Sequence, residues 1–313
     1  MYKYIFGPVP SRRLGVSLGI DVIPHKTCNL DCVYCECGAT TNCTVERKSY
    51  INFEELINEI GDYFSKDESK KLDYVTFAGS GEPTLNKDIG KIVGEIKKRT
   101  MTPLALLTNG TLFFEKKVRE DVMEFDLIMP SLDAPDTETF EKINRPNAAI
   151  NFDEMIHGLV ELRKEFSGII ALEVFIIAGL NDSSEQLDKF KKIIQKISPD
   201  KIMLNSLDRP PVESWVKPLS ASQLEKIRDY FNLGNVEIIK KYKRKELKDD
   251  NQASTEHQII NLIKVRPCTI RDISTITGIR TVEVSKYLDV LENEGKLKKI
   301  AGERGVFFKF MKK

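Results

Sequence analysis

Six short apolar runs set the strongest limit on what this chain can fold into. They are LGIDVI (18–23), YVTFA (74–78), LALLT (104–108), LIMPS (127–131), IALEVFII (170–177) and KIMLNS (201–206). Between most of them lie stretches long enough for a helix, such as 52–64, 87–99 and 184–197. In the last of these Leu187, Phe190, Ile193, Ile194 and Ile197 recur at three- and four-residue spacing, which places them on one helical face. Apolar strands alternating with amphipathic helices predict βα units and a parallel sheet. Six strands make either an open sheet or an incomplete barrel, and periodicity does not choose between them.

The pattern changes after about residue 236. Residues 1–236 carry 30 Lys+Arg against 36 Asp+Glu, whereas 237–313 carry 18 against 11. KKYKRK (240–245) is basic without an apolar period, and 248–254 reads as a linker. Helices are then expected over 255–265, 269–278 and 281–295, followed by two strands within 296–310 joined at a glycine turn. Three helices and a hairpin are the order of a winged helix-turn-helix. The expected organisation is 1–236 for the main domain, 237–252 for a basic linker and 253–313 for the winged unit. No stretch approaches the roughly 20 apolar residues of a membrane span. The N-terminus lacks the apolar core of a signal peptide, so a cytoplasmic location is expected.

Cysteine usage is the main pointer to chemistry. Cys28, Cys32, Cys35, Cys37 and Cys43 fall close together, and Cys268 lies far away. In a reducing compartment such crowding favours metal over disulfides. Cys28, Cys32 and Cys35 follow the first apolar run on one short loop. Thiolates hold the irons of a cubane cluster, and three of them leave the fourth iron open to a ligand. Zinc more often takes two separated pairs of ligands, although Cys37 and Cys43 could complete such a set.

CxxxCxxC with an aromatic before the last cysteine resembles the signature of radical S-adenosylmethionine (SAM) enzymes, here Cys28, Cys32 and Tyr34-Cys35. The resemblance implies an α/β fold, a partial (β/α)6 barrel of the TIM type. It also implies a [4Fe–4S] cluster on the three cysteines, with SAM on the fourth iron. Reductive cleavage of SAM would give methionine and a 5′-deoxyadenosyl radical that abstracts hydrogen from a substrate. Tyr34 would then lie near the adenine. Gly79-Ser80-Gly81-Glu82 resembles the family's Gly-Gly-Glu motif, with glycines admitting close backbone approach and a carboxylate able to accept from an ammonium. Asn109, Ser131 and Asp133, at the ends of the third and fourth runs, look like positions that contact the methionine or ribose of SAM. Glu173, inside an apolar run, costs energy unless paired, and is expected to face the barrel lumen with Asn205.

Within the superfamily the sequence FGPVPSRRLG…HKTCNLDCVYC…GSGEPTL looks most like the wyosine-synthase-related group. Wyosine synthases carry a second cluster on cysteines upstream of the SAM loop, and none precedes Cys28 here. Cys37 and Cys43 read as free cysteines or as ligands of an auxiliary cluster. Arg12, Arg13, Arg145 and Asp182 are candidates for substrate contact, since arginine suits phosphate or carboxylate. A flavodoxin or ferredoxin is the expected electron donor. The winged unit is expected to meet nucleic acid, a polypeptide substrate or only the barrel. The alternative to an enzyme is a winged-helix regulator that senses cluster state or SAM.

Overall fold

The computed structural model describes residues 2–66, 72–79, 81–208, 211–239, 255–279, 281–302 and 304–311. The chain opens with a hairpin, β1 (Ile5–Ser11) antiparallel to β2 (Gly15–Ile20). The cysteine loop follows, with a two-residue parallel pairing of β3 (Thr27–Cys28) and β4 (Asn42–Cys43). Then come α1 (Phe53–Ser65), β5 (Tyr74–Phe77), α2 (Ile89–Lys97), β6 (Leu104–Thr108), α3 (Lys116–Asp121) and β7 (Leu127–Leu132). The series continues with α4 (Thr137–Asn144), α5 (Phe152–Glu165), β8 (Ile169–Phe175), α6 (Ser184–Ile197), β9 (Lys201–Asn205), α7 (Ala221–Phe231) and β10 (Val236–Ile238).

Strand order decides between the two sheets that the sequence allows. The eight strands run β1-β2-β5-β6-β7-β8-β9-β10, and every neighbouring pair after the first hairpin is parallel. Apart from the short β3–β4 pair, which lies in the cysteine loop, the strands follow chain order without reversal, unlike a doubly wound sheet. Successive strands also divide their side chains cleanly. Leu18, Val75, Leu104, Leu106, Ile128, Ile170, Leu172, Ile202 and Leu204 pack in one core with helix residues Leu56, Ile60, Ile92, Leu159 and Phe190. The alternate positions Ala105, Leu127, Met129, Ala171 and Met203 form a second cluster without any helix residue. With its helices on one face, the sheet curls around the other, giving an incomplete barrel with an apolar floor. The inward stripe continues past Met129, Ala171 and Met203 to Ser131, Glu173 and Asn205, because inward positions recur every second residue.

Two sequence expectations need correction. The first apolar run forms β2 three residues earlier than read, so Asp21, Val22 and Ile23 lie beyond the strand. The main domain also does not end at 236. β10 pairs with β9, and Ile239 is buried in the inward cluster, so the sheet runs across the compositional break. Charge balance there reports on the basic run that follows, not on strand pairing. That run and the linker (240–254) lie outside the described residues.

The C-terminal elements are α8 (Thr255–Val265), β11 (Cys268–Thr269), α9 (Ile270–Thr277), α10 (Thr281–Asn293), β12 (Leu297–Gly302) and β13 (Gly305–Phe310). They enclose their own core of Ile259, Ile263, Cys268, Ile273, Val284, Leu288, Leu291, Leu297 and Phe308. Its three-stranded sheet, ordered β11-β13-β12, includes a short strand that the sequence did not announce. Arg304, between β12 and β13, joins this unit to the barrel. Its Nε stands 3.0 Å from Asp208 Oδ1, just past β9, and its other nitrogens reach Asp272 of α9. Arg12 meets the same Asp208 at 3.3 Å.

Candidate functional site

The cysteine loop leaves the C-terminal end of β2 and is tied down by backbone bonds. Val33 N–H donates to Ile143 O, Asp31 N–H to Asn144 O, and Cys35 N–H to Cys32 O. Thr27 O accepts from Glu82 N–H at 3.1 Å. Lys26 enters the loop in the left-handed region, at φ 59°, which costs a non-glycine residue on the order of 1 kcal/mol. That turn carries its side chain inward.

Each of the three cysteines meets a side-chain N–H donor. Asn109 Nδ2 is 3.7 Å from Cys28 Sγ, Asn144 Nδ2 is 3.4 Å from Cys32 Sγ, and Lys26 Nζ is 3.2 Å from Cys35 Sγ. Three nitrogen donors aimed at three sulfurs suit acceptor sulfurs, that is thiolates. Burial, helped by the charge of Glu82, pushes the Cys28 thiol up to about 12, and burial also raises Cys32. Cys35 runs the other way: a hydrogen bond from Cys37 and the field of Lys26 outweigh burial and bring it down to about 6. Binding of metal here must therefore release protons from Cys28 and Cys32. Among the described residues no three Cys, His, Asp or Glu side chains converge as one metal ion would require. A cubane puts each thiolate on a different iron, so spread cysteines on one loop fit it better than they fit zinc.

Glu82 is buried, and donors surround it. Thr84 N–H, Thr84 Oγ1 and Thr108 Oγ1 bond Oε1, while Asn109 N–H bonds Oε2 at 2.8 Å. Burial still raises its pKa. Glu82 therefore braces the Asn109 turn, and Asn109 in turn holds Asn29 and Cys28. At Gly81 the turn before it leaves no room for a side chain. A Cβ on Gly81 would stand 2.0 Å from Thr27 O, and one on Gly79 would stand 2.1 Å from Asp21 Oδ1. Ser80, read as part of the same motif, lies outside the described residues.

The lumen face carries a second set. Tyr34 stacks on Phe175, with centroids 4.2 Å apart, and its hydroxyl donates to Asp133 Oδ2. Asn144 Nδ2 donates to the same oxygen at 2.8 Å. Burial lifts Asp133 to about 7, and these two bonds only partly offset it. The remaining oxygens, Asp133 Oδ1 and Asn144 Oδ1, are buried without a hydrogen-bond partner among the described residues. Unmet buried acceptors cost about 1–3 kcal/mol each, so they mark where a donor-bearing ligand belongs. Alongside, Glu173 receives Arg13 and Asn205 Nδ2, and Ser131 is its cross-strand neighbour. Glu173 is thus paired, as its burial demands.

The structure brings Tyr34, Asn109, Ser131, Asp133 and Asn205 to the C-terminal ends of the strands with the cysteine loop, while Arg13 reaches Glu173, inside β8, from the β1–β2 turn. It places the other substrate candidates differently. Arg12 spans Glu36 and Asp208. Arg145 caps α4 in the left-handed region and pairs with Glu213 at 2.7 Å, well exposed. Asp182 accepts from Gly179 N–H within its own loop. Lys26, Asn29, Thr108, Thr111 and Asn144 serve the site without having been singled out as cofactor ligands. For Asn144 a signal existed next door, since its neighbour Arg145 reads as a substrate candidate. Cys37 lies 3.9 Å from Gly79 O, Cys43 is exposed, and Cys268 is buried in the C-terminal core.

Comparison with known proteins matches residues 22–192 to the family described as Radical SAM superfamily, and residues 255–308 to that described as FaeA-like protein. The chain is 40% identical over 297 residues to a protein named GTPase Obg from Brachyspira hyodysenteriae, of which it spans only 43%. UPF0026 protein MJ1312 of Methanocaldococcus jannaschii is 34% identical over 309 residues, covering 97% of this chain and 94% of that protein. The S-adenosyl-L-methionine-dependent tRNA 4-demethylwyosine synthase of Pyrococcus horikoshii is 31% identical over 122 residues, 38% of this chain and 34% of that one. The solved structure of TYW1 with a lysine-pyruvate adduct superimposes with a TM-score of 0.52 at 16% identity, covering 72% of this chain and 75% of that one, a likeness of fold.

Proposed function

The chain belongs to the radical SAM superfamily and to the UPF0026 proteins, and on that footing we propose that Cys28, Cys32 and Cys35 hold the cluster on which SAM is reductively cleaved. It is an enzyme, and the cofactors of its family are a [4Fe–4S] cluster and SAM. The observation that carries the assignment is the set of three nitrogen donors, one on each sulfur. When bound, the cluster and SAM supply a 5′-deoxyadenosyl radical that takes a hydrogen atom from substrate.

The chain's own residues bind and orient. Asn109, just past β6, and Asn144, at the end of α4, hold the cysteine loop, each keeping an N–H on a sulfur. Asp133 and Asn144 offer two free acceptors to SAM hydroxyls or to its ammonium. Tyr34, fixed by Phe175 and Asp133, presents a flat ring for the adenine. Glu82 keeps the Gly79–Glu82 turn against the loop. Ser131, Glu173, Asn205 and Arg13 line the lumen where the ribose and the substrate meet. An external one-electron reductant is required, of the flavodoxin or ferredoxin kind.

A polynucleotide is the substrate class that the chain supports best. The basic run and the C-terminal unit, read as a winged helix, together carry the positive balance of residues 237–313, and exposed Lys298 lies on the hairpin of that unit. The match to a tRNA-modifying relative points the same way.

Anaerobic reconstitution tests the reading. Wild type is expected to take up four irons and to release 5′-deoxyadenosine from SAM with dithionite. Alanine at Cys28, Cys32 or Cys35 is expected to abolish both, and Cys43→Ala to leave both intact. Full turnover in any of the three alanine variants would overturn the assignment.

A further inference from the structure

We propose that Lys26 is a built-in counter-ion that raises the reduction potential of the cluster. The inference rests on Cys28, Cys32 and Cys35 being the cluster ligands.

Three observations carry it. Lys26 is only 4% exposed, so its ammonium is removed from bulk water. The ammonium donates to Cys35 Sγ at 3.2 Å, and among the described residues it pairs with no carboxylate. An unpaired buried cation is costly, and sulfurs are the partners on offer. Finally, the backbone at Lys26 takes a left-handed turn, while Lys26 O accepts from the N–H groups of Thr41 and Asn42. The loop is thus closed by the Lys26 backbone and not by its side chain, which is left for another role.

The physical consequence follows from charge. Taking one electron from a donor makes the core one charge more negative. No bond forms or breaks at Lys26, and it keeps its proton. A fixed cation a few ångströms away, in a site of low dielectric, stabilises the reduced state more than the oxidised one. Potential therefore rises, and a biological donor can reduce the cluster more readily.

Wild type, Lys26→Met and Lys26→Arg are reconstituted as full-length chains, their iron and sulfide are counted, and each is titrated without SAM under EPR detection. Met keeps the stem and removes the charge. The expected result is a full cluster in all three, a more negative potential in Lys26→Met, and return toward wild type in Lys26→Arg. An unchanged potential in a fully loaded Lys26→Met overturns the proposal. If Lys26→Met takes up no iron, Lys26→Gln is titrated in its place. Should both neutral variants stay empty while Lys26→Arg loads, the side chain serves assembly and the tuning role is rejected. A wild-type protein without a four-iron cluster fails the cysteine assignment instead.

Discussion

The hydroxyl of Tyr34 donates to the carboxylate of Asp133, and that carboxylate is buried with its second oxygen unmet. Burial sets its pKa at about 7, above the ordinary carboxylate range near 3.9. A raised carboxylate pKa means that the fold disfavours the charged form. The stability it contributes is fully present below about 4 and is lost as pH rises through about 7. Cluster-free protein is expected to gain stability from this group as pH falls from about 7 toward 5, by up to a few kcal/mol. Asp133→Asn should flatten that part of the curve. Melting temperatures of both proteins across this range check it, and parallel curves would refute it.

Among the described residues, Asn144 is the one side chain that donates to both a cysteine and the lumen carboxylate. Asn144→Ala strips the donor from Cys32 Sγ at 3.4 Å and from Asp133 Oδ2 at 2.8 Å. The expected loss is about 1–3 kcal/mol in urea unfolding, together with weaker SAM binding. A variant as stable as wild type would show that the bonds contribute nothing net.

Gly81 has to be glycine because the Thr27 carbonyl stands where a Cβ would go, and Ile23 Cγ2 lies 2.6 Å from the same point. Gly81→Ala is expected to push back the strand that leads into Cys28, at about 1–3 kcal/mol, with loss of iron retention. Gly61 is the control. It lies inside α1 with nothing within 4 Å of a Cβ, so Gly61→Ala should stabilise by about 0.5–1 kcal/mol.

Arg304 closes the contact between the C-terminal unit and the barrel. Arg304→Ala leaves Asp208 with Arg12 alone, so the cost is about 1–3 kcal/mol and not that of a fully orphaned charge. Hydrogen exchange is the readout. Protection should drop at residues 206–208 and along β12 and β13, while β6 and β7 stay unchanged.

Strands and cysteines were legible in the sequence for different reasons. Apolar runs marked β5 to β9 to within two residues, because each is buried on both faces and needs no alternation to be seen. β1 escaped, since Gly7, Pro8 and Pro10 break its apolar character. Periodicity alone did not show the barrel, because closure depends on strand order and no single run encodes that; the family resemblance supplied it. Spacing pointed to Cys28, Cys32 and Cys35, and the family resemblance together with strand ends pointed to Asn109, Asp133 and Asn205. Their partners came only from the fold. Asn144 reaches Cys32 from 112 residues away and Glu82 reaches Asn109 from 27 away, and neither distance is periodic. Lys26 sits two residues from Cys28, yet a lysine beside a cysteine motif carries no signal until its backbone turn and burial are known.

Sequential strand order also fixes the timing of synthesis. Cys35 is made 170 residues before Asn205, and Asn144 lies between them. At ribosomal speeds of about 5–20 residues per second, the thiols leave the tunnel roughly 10–30 s before the last lumen strand exists to enclose them. During that interval they are open to oxidation and to iron-delivery proteins alike. A fold in which each strand joins only its predecessor thus offers its cysteines to the assembly machinery early, and seals the chamber last.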